Sequence, residues 1–105
     1  MGFAVGMEEE KRQERAVRGR YQKAAVGCWF TASGKAIPQM VKYEDESGCI
    51  QMLRDIRVLK TEQKYYAGIL MRKYECCVIV EDRQQSFVLL YRPDEGIWDM
   101  VLPDE

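Results

Sequence analysis

The 105 residues include no histidine, and this absence excludes several kinds of active site. A Ser-His-Asp triad, a Cys-His pair, an HExxH metalloprotease motif and a Cys2His2 zinc site all require it. Without histidine, a cysteine nucleophile such as Cys77 would need a lysine or a carboxylate as its base. We therefore expect a non-catalytic protein that holds no metal and no other cofactor.

The sequence also lacks a long apolar run and a basic excess. No stretch approaches the roughly 18 to 20 apolar residues that span a bilayer. Sixteen basic against seventeen acidic residues leave a net charge of -1, too little for non-specific binding to nucleic acid or a membrane surface. With no export signal, the four cysteines are expected to be reduced thiols in a cytoplasmic protein without a membrane partner.

The length and the 47% hydrophobic content suit one domain, which we place at residues 8–105 after a disordered or vector-derived segment 1–7. Residues 8–26 are predicted to be a helix. This segment is rich in Glu, Lys and Arg, lacks proline, and has its acidic residues early and its basic residues late. Val17, Tyr21, Ala24 and Ala25 would form one apolar stripe along it.

From residue 28 onward, apolar residues alternate with polar ones and turn residues separate the runs, which indicates an antiparallel meander. We expect five or six strands in segment 28–102, from the runs 28–31, 37–44, 49–59, 70–81, 86–92 and 97–102. Residues 60–68 are interpreted as a charged connection followed by a loop or short irregular strand. The predicted class is α+β: an N-terminal helix followed by a curled meander that forms a small half-open β-barrel. A flat sheet with the helix across one face is the alternative.

Strand parity predicts which side chains face the core. Ile37 is expected to share the face of Val41 and Tyr43, and Ile50 and Met52 are expected to point inward. Arg54 has the same strand parity as Ile50 and Met52. A charged residue at this position indicates a bulge, a bend or a strand break.

The last three predicted strands carry a second apolar set on alternate positions. Its members are Cys77, Ile79, Val88, Leu90, Trp98 and Met100. Because a small barrel buries only one face of its sheet, this set would need a cover, either the helix or a second copy of the chain. We therefore predict a protein-interaction or structural module that forms homodimers or binds another protein.

A second hypothesis is single-stranded nucleic-acid binding by a small barrel. Aromatic residues stack on bases and cations hold phosphates in such proteins, and the relevant residues here are Tyr65, Tyr66, Lys60, Lys64 and Arg72. Arg54 and Arg57 either pair with acidic residues across strands or bind an anionic group of a ligand or partner. The acidic turn 44–46 is interpreted as solvated, with a hard-cation site as the alternative.

Overall fold

The computed structural model describes residues 19–103, and within this range the chain is all β. Seven strands follow one another: β1 (Arg20–Phe30), β2 (Ala36–Glu44), β3 (Ile50–Leu53), β4 (Arg57–Tyr66), β5 (Ile69–Val80), β6 (Arg83–Arg92) and β7 (Ile97–Leu102). The predicted α+β class is therefore wrong, since residues 19–103 contain no helix and hence none that could cross a bilayer. Of the predicted helix 8–26, the part 8–18 lies outside the described residues, as does the segment 1–7.

The end of the predicted helix is instead the first half of β1. Ala24, Val26 and Cys28 occupy alternate positions and pack against the core, which is a period of two. The strand lies between β2 and β7 and is hydrogen-bonded to both. Two flanking strands outweigh the modest helix propensity of the Lys, Gln and Ala residues in this segment.

The strands form one open antiparallel sheet in the order β3-β2-β1-β7-β6-β5-β4. The bend lies in β1, which pairs with β7 through residues 20–24 and with β2 through residues 25–30. A register shift leaves Gln39 of β2 without an opposite residue, and its carbonyl oxygen accepts a hydrogen bond from the Ile56 amide at 3.4 Å. The two ends of the sheet thus approach each other at this bulge.

The core lies on the inner face of this bend, where both halves of the sheet contribute buried side chains. Its largest fully buried members include Phe87, Leu89, Met100 and Val41, and a stack of Tyr91 on Trp98 borders it with ring centroids 4.3 Å apart. A smaller cluster occupies the outer face. It is formed by Met71, Leu90 and Val101, with Tyr21, Tyr66 and Val88 packed against them.

Two predicted boundaries need correction. The run 49–59 is two strands, because the chain turns between Leu53 and Arg57 and Asp55 adopts a φ of 56°. Residues 60–66, expected to be a connection and loop, continue β4 as far as Tyr66. A two-residue turn, Ala67-Gly68, then leads into β5.

Candidate interaction surface

The outer face of strands β1 to β3 carries the main group of exposed apolar side chains. Trp29 of β1 lies directly opposite Ile37 of β2, and Met40, Met52 and Ile50 continue the same face toward the sheet edge. Trp29 is 68% exposed and Ile50 64% exposed. We call these five residues the β1–β3 apolar face. Exposed apolar patches are candidates for interaction surfaces.

Local backbone features produce this face. The bulge at Gln39 changes the parity of β2, so that Ile37 lies on the side of Met40 and not with Val41 as predicted. Gly27 has no side chain, and a Cβ placed there would be 3.0 Å from the Met40 Cγ atom. Met40 therefore extends over β1 at this glycine.

Two charged side chains lie within the β1–β3 apolar face. Lys42 is paired in register with Met52, and Glu44 is paired with Ile50. The alternation of β2 places both residues on the outer face, where both are exposed. Neither side chain forms an ion pair with another residue in the range 19–103.

The predicted interaction set does not form one surface. Trp98 and Met100 belong to the inner core, whereas Leu90 and Val88 belong to the outer cluster. Most of the set is buried, including Cys77 at 7% exposure. Val88 is half-buried, and Ile79 is 66% exposed.

The residues of the nucleic-acid hypothesis are also divided between the two faces. Lys60 and Lys64 are both paired with Glu62 at 3.3 Å, and these ion pairs lower the pKa of that carboxyl group. Tyr66 packs on the outer cluster. Alternation along β4 and β5 places Tyr65 and Arg72 on the inner face. The structure does not bring these residues together as one basic and aromatic surface.

Arg54 and Arg57 flank the break between β3 and β4, and both are exposed. The Arg54 Nε donates to the Met52 sulfur at 3.0 Å, so this side chain borders the β1–β3 apolar face. Arg57 lies opposite Cys77 in the β4–β5 register. Neither arginine forms an ion pair with Asp55 or any other described residue.

The four cysteines are free thiols. Burial raises the pKa of Cys76 to about 12, with a smaller contribution from Cys77, so the nucleophilic thiolate form of Cys76 is suppressed at neutral pH. Desolvation also raises the pKa of Cys28. Among residues 19–103, no three Cys, Asp or Glu side chains converge as a set of metal ligands.

Comparisons with known proteins supply no relative. The chain matches no protein-family model, no curated protein and no solved structure.

Proposed function

We propose that this protein is a non-catalytic interaction module that forms a homodimer through the β1–β3 apolar face. The observation that carries the proposal is the exposed cross-strand pair of Trp29 and Ile37 at one end of this apolar face. Large aromatic side chains dominate the binding energy of many protein interfaces. The buried thiols and the absence of a disulfide among the four cysteines favour a reducing compartment, which we take to be the cytoplasm.

Charge favours a second copy of the chain as the occupant. In a two-fold symmetric contact, the same patch of each copy forms the interface. If one residue contacts a second residue of the other copy, the second residue also contacts the first across the interface. Lys42 and Glu44 carry opposite charges on this patch, and an antiparallel arrangement pairs Lys42 of one copy with Glu44 of the other. The patch is thereby complementary to itself in both hydrophobicity and charge.

Sedimentation equilibrium of the wild-type protein and of Trp29→Lys tests this proposal. We expect a wild-type dimer and a dissociation constant raised roughly 30-fold or more by the substitution, the loss associated with a strong interface anchor. Ile79→Lys is the matched control, because Ile79 is equally exposed and lies outside the patch. It should leave the dimer unchanged.

A charge exchange tests the geometry of the contact. Lys42→Glu alone should weaken the dimer by placing like charges together, and the double variant with Glu44→Lys should restore it. A wild-type protein that sediments as a monomer at several hundred micromolar, or a dimer lost with Ile79→Lys but not with Trp29→Lys, would refute the proposal.

A further inference from the structure

A cleft of about 410 Å³ lies between the β1–β2 hairpin and strands β4 and β5. It forms where the two ends of the curled sheet come together without closing. Its polar lining includes Lys35, Gln63, Arg72 and Tyr74, and its apolar lining includes Pro38 and Val58. The volume is in the range of small-molecule sites, which run from roughly 300 to 1,000 Å³.

The cleft carries two cationic groups that the described residues do not neutralise. The Arg72 Nε donates to the Gln63 Oε1 at 3.4 Å, and neither Arg72 nor Lys35 forms an ion pair within residues 19–103. No Asp or Glu is among the described residues that line the cleft. Four other lysines, Lys23, Lys60, Lys64 and Lys73, each lie within 4.0 Å of a described carboxylate, whereas Lys42 on the outer face does not.

The Tyr74 side chain is a buried part of the cleft wall. It is 3% exposed, and its hydroxyl donates to the Ala36 carbonyl oxygen at 2.8 Å. Its ring lies against Trp98 with the centroids 5.5 Å apart. Burial raises the pKa of the Tyr74 hydroxyl, whereas the nearby Arg72 lowers it in part, so the hydroxyl is neutral and adds no negative charge to the cleft.

We propose that the cleft binds a small organic anion, a carboxylate or a phosphate monoester, with an apolar body. The anionic group pairs with Arg72 and Lys35, because a guanidinium and an ammonium at one cleft favour such groups. The apolar body lies against Pro38 and Val58. This binding function is distinct from self-association, although Ile37 both lines the cleft and belongs to the β1–β3 apolar face.

Amide chemical-shift titrations with octanoate and with octyl phosphate test the proposal and distinguish the two head groups. We expect saturable shifts at residues 35–38, 58–63 and 72–74 with at least one of these compounds. Octanol should bind at least about tenfold more weakly than the anion that binds, since it lacks the charge-assisted interaction. Octylammonium should not bind, because its charge matches that of the cleft.

Arg72→Met keeps an apolar stem while removing the charge, and it should weaken binding about tenfold. Lys35→Met, in the exposed β1–β2 turn, should also weaken binding and serves as the test if Arg72→Met fails to fold. Arg57→Met is the matched control and should bind as the wild type does. Trp29→Lys should retain binding, which separates this proposal from the dimer proposal.

Three results would overturn the assignment. The first is the absence of saturable shifts with either anion at millimolar concentration. The second is equal affinity for octanol and octanoate. The third is a shift pattern centred on Trp29, Ile50 and Met52, which would indicate that the probes bind the apolar face and not the cleft.

Discussion

At the scale of single residues, Asp45 shows why the acidic turn between β2 and β3 is structural. Its Oδ1 accepts hydrogen bonds from the Ser47 amide, the Ser47 hydroxyl and the Cys49 amide at 2.9, 2.7 and 2.9 Å. Its Oδ2 accepts one from the Gln51 Nε2 at 2.8 Å. These four bonds organise the turn and occupy the carboxylate, so the group needs no cation.

The same bonds make Asp45 a source of pH-dependent stability. The Ser47 hydroxyl above all, then Gln51 and the Cys49 amide, lower the pKa of this carboxyl group from 3.8 to about 2. A depressed folded-state pKa stabilises the fold above the unfolded-state pKa, and the stabilisation is lost as the pH falls from about 3.8 toward 2. Asp45→Asn should therefore be less stable than the wild type near neutral pH, with a difference that shrinks across this window.

Urea unfolding at a series of pH values measures that difference. Asp94→Asn is the control, because Asp94 is exposed and has no ion pair with a described residue. Its unfolding at the same pH values supplies the baseline for a surface Asp→Asn change. If the difference in the free energy of unfolding between the wild type and Asp45→Asn were the same at about pH 6 and about pH 2.5, the role given to the Asp45 carboxylate would be wrong.

At the scale of structural elements, the two-residue turns that join the long strands have similar backbone angles but different residue types. Ala67-Gly68 joins β4 to β5, and Glu81-Asp82 joins β5 to β6. All four residues have positive φ, at 51° and 80° in the first turn and 50° and 63° in the second. This is the type I′ pattern that favours Asn-Gly, so the Glu81-Asp82 turn is held in a backbone region its residues disfavour.

Replacing Glu81-Asp82 by Asn-Gly should stabilise the protein. The double substitution E81N/D82G should raise the free energy of unfolding by about 1 kcal/mol, since both residues then suit left-handed backbone. Urea unfolding measures the change. Glu95→Gly is the control, because Glu95 has negative φ in its turn, and there glycine should destabilise. A double variant no more stable than the wild type would contradict the strain argument.

The elements that the sequence predicted well are those in which apolar and polar residues alternate strictly and turn residues mark both ends. The strands at 97–102 and 37–44 match β7 and β2 to within one residue, because Gly and Pro mark their limits. The helix failed because a mixed Lys, Gln and Ala segment has no strong local preference and its neighbours in the sheet decide its conformation. β4 was missed because its charged residues face solvent at the sheet edge and leave little hydrophobic pattern.

The β1–β3 apolar face was not predicted, for a related reason. One extra residue at Gln39 reverses the face of Ile37, and a bulge of this kind has no signature in composition. For β3, a usable signal was present in Arg54, which shares the parity of Ile50 and Met52. An arginine in that register indicates an outward face, and the contact of its Nε with the Met52 sulfur agrees with that interpretation.

At the scale of the whole molecule, the bond from the Tyr74 hydroxyl to the Ala36 carbonyl joins the two ends of the sheet. Tyr74 and Ala36 are 38 positions apart in sequence and belong to β5 and β2, which are not neighbours in the sheet. The Ile56 amide bond to Gln39 forms a second, backbone link nearby. Together these bonds connect the two halves of the bent sheet beside the cleft, while the sheet remains open.

Tyr74→Phe should therefore weaken the closure of the fold. The substitution keeps the ring in the core but leaves the Ala36 carbonyl without this donor, a loss of about 1 to 2 kcal/mol in the free energy of unfolding. Urea unfolding should show a lower midpoint with an unchanged slope, and hydrogen exchange at the Ile56 amide should accelerate because the two ends separate more often. Tyr65→Phe, at an exposed tyrosine, should change neither quantity. If Tyr74→Phe matched the wild type in both measurements, the hydroxyl bond would not be what holds the ends of the sheet together.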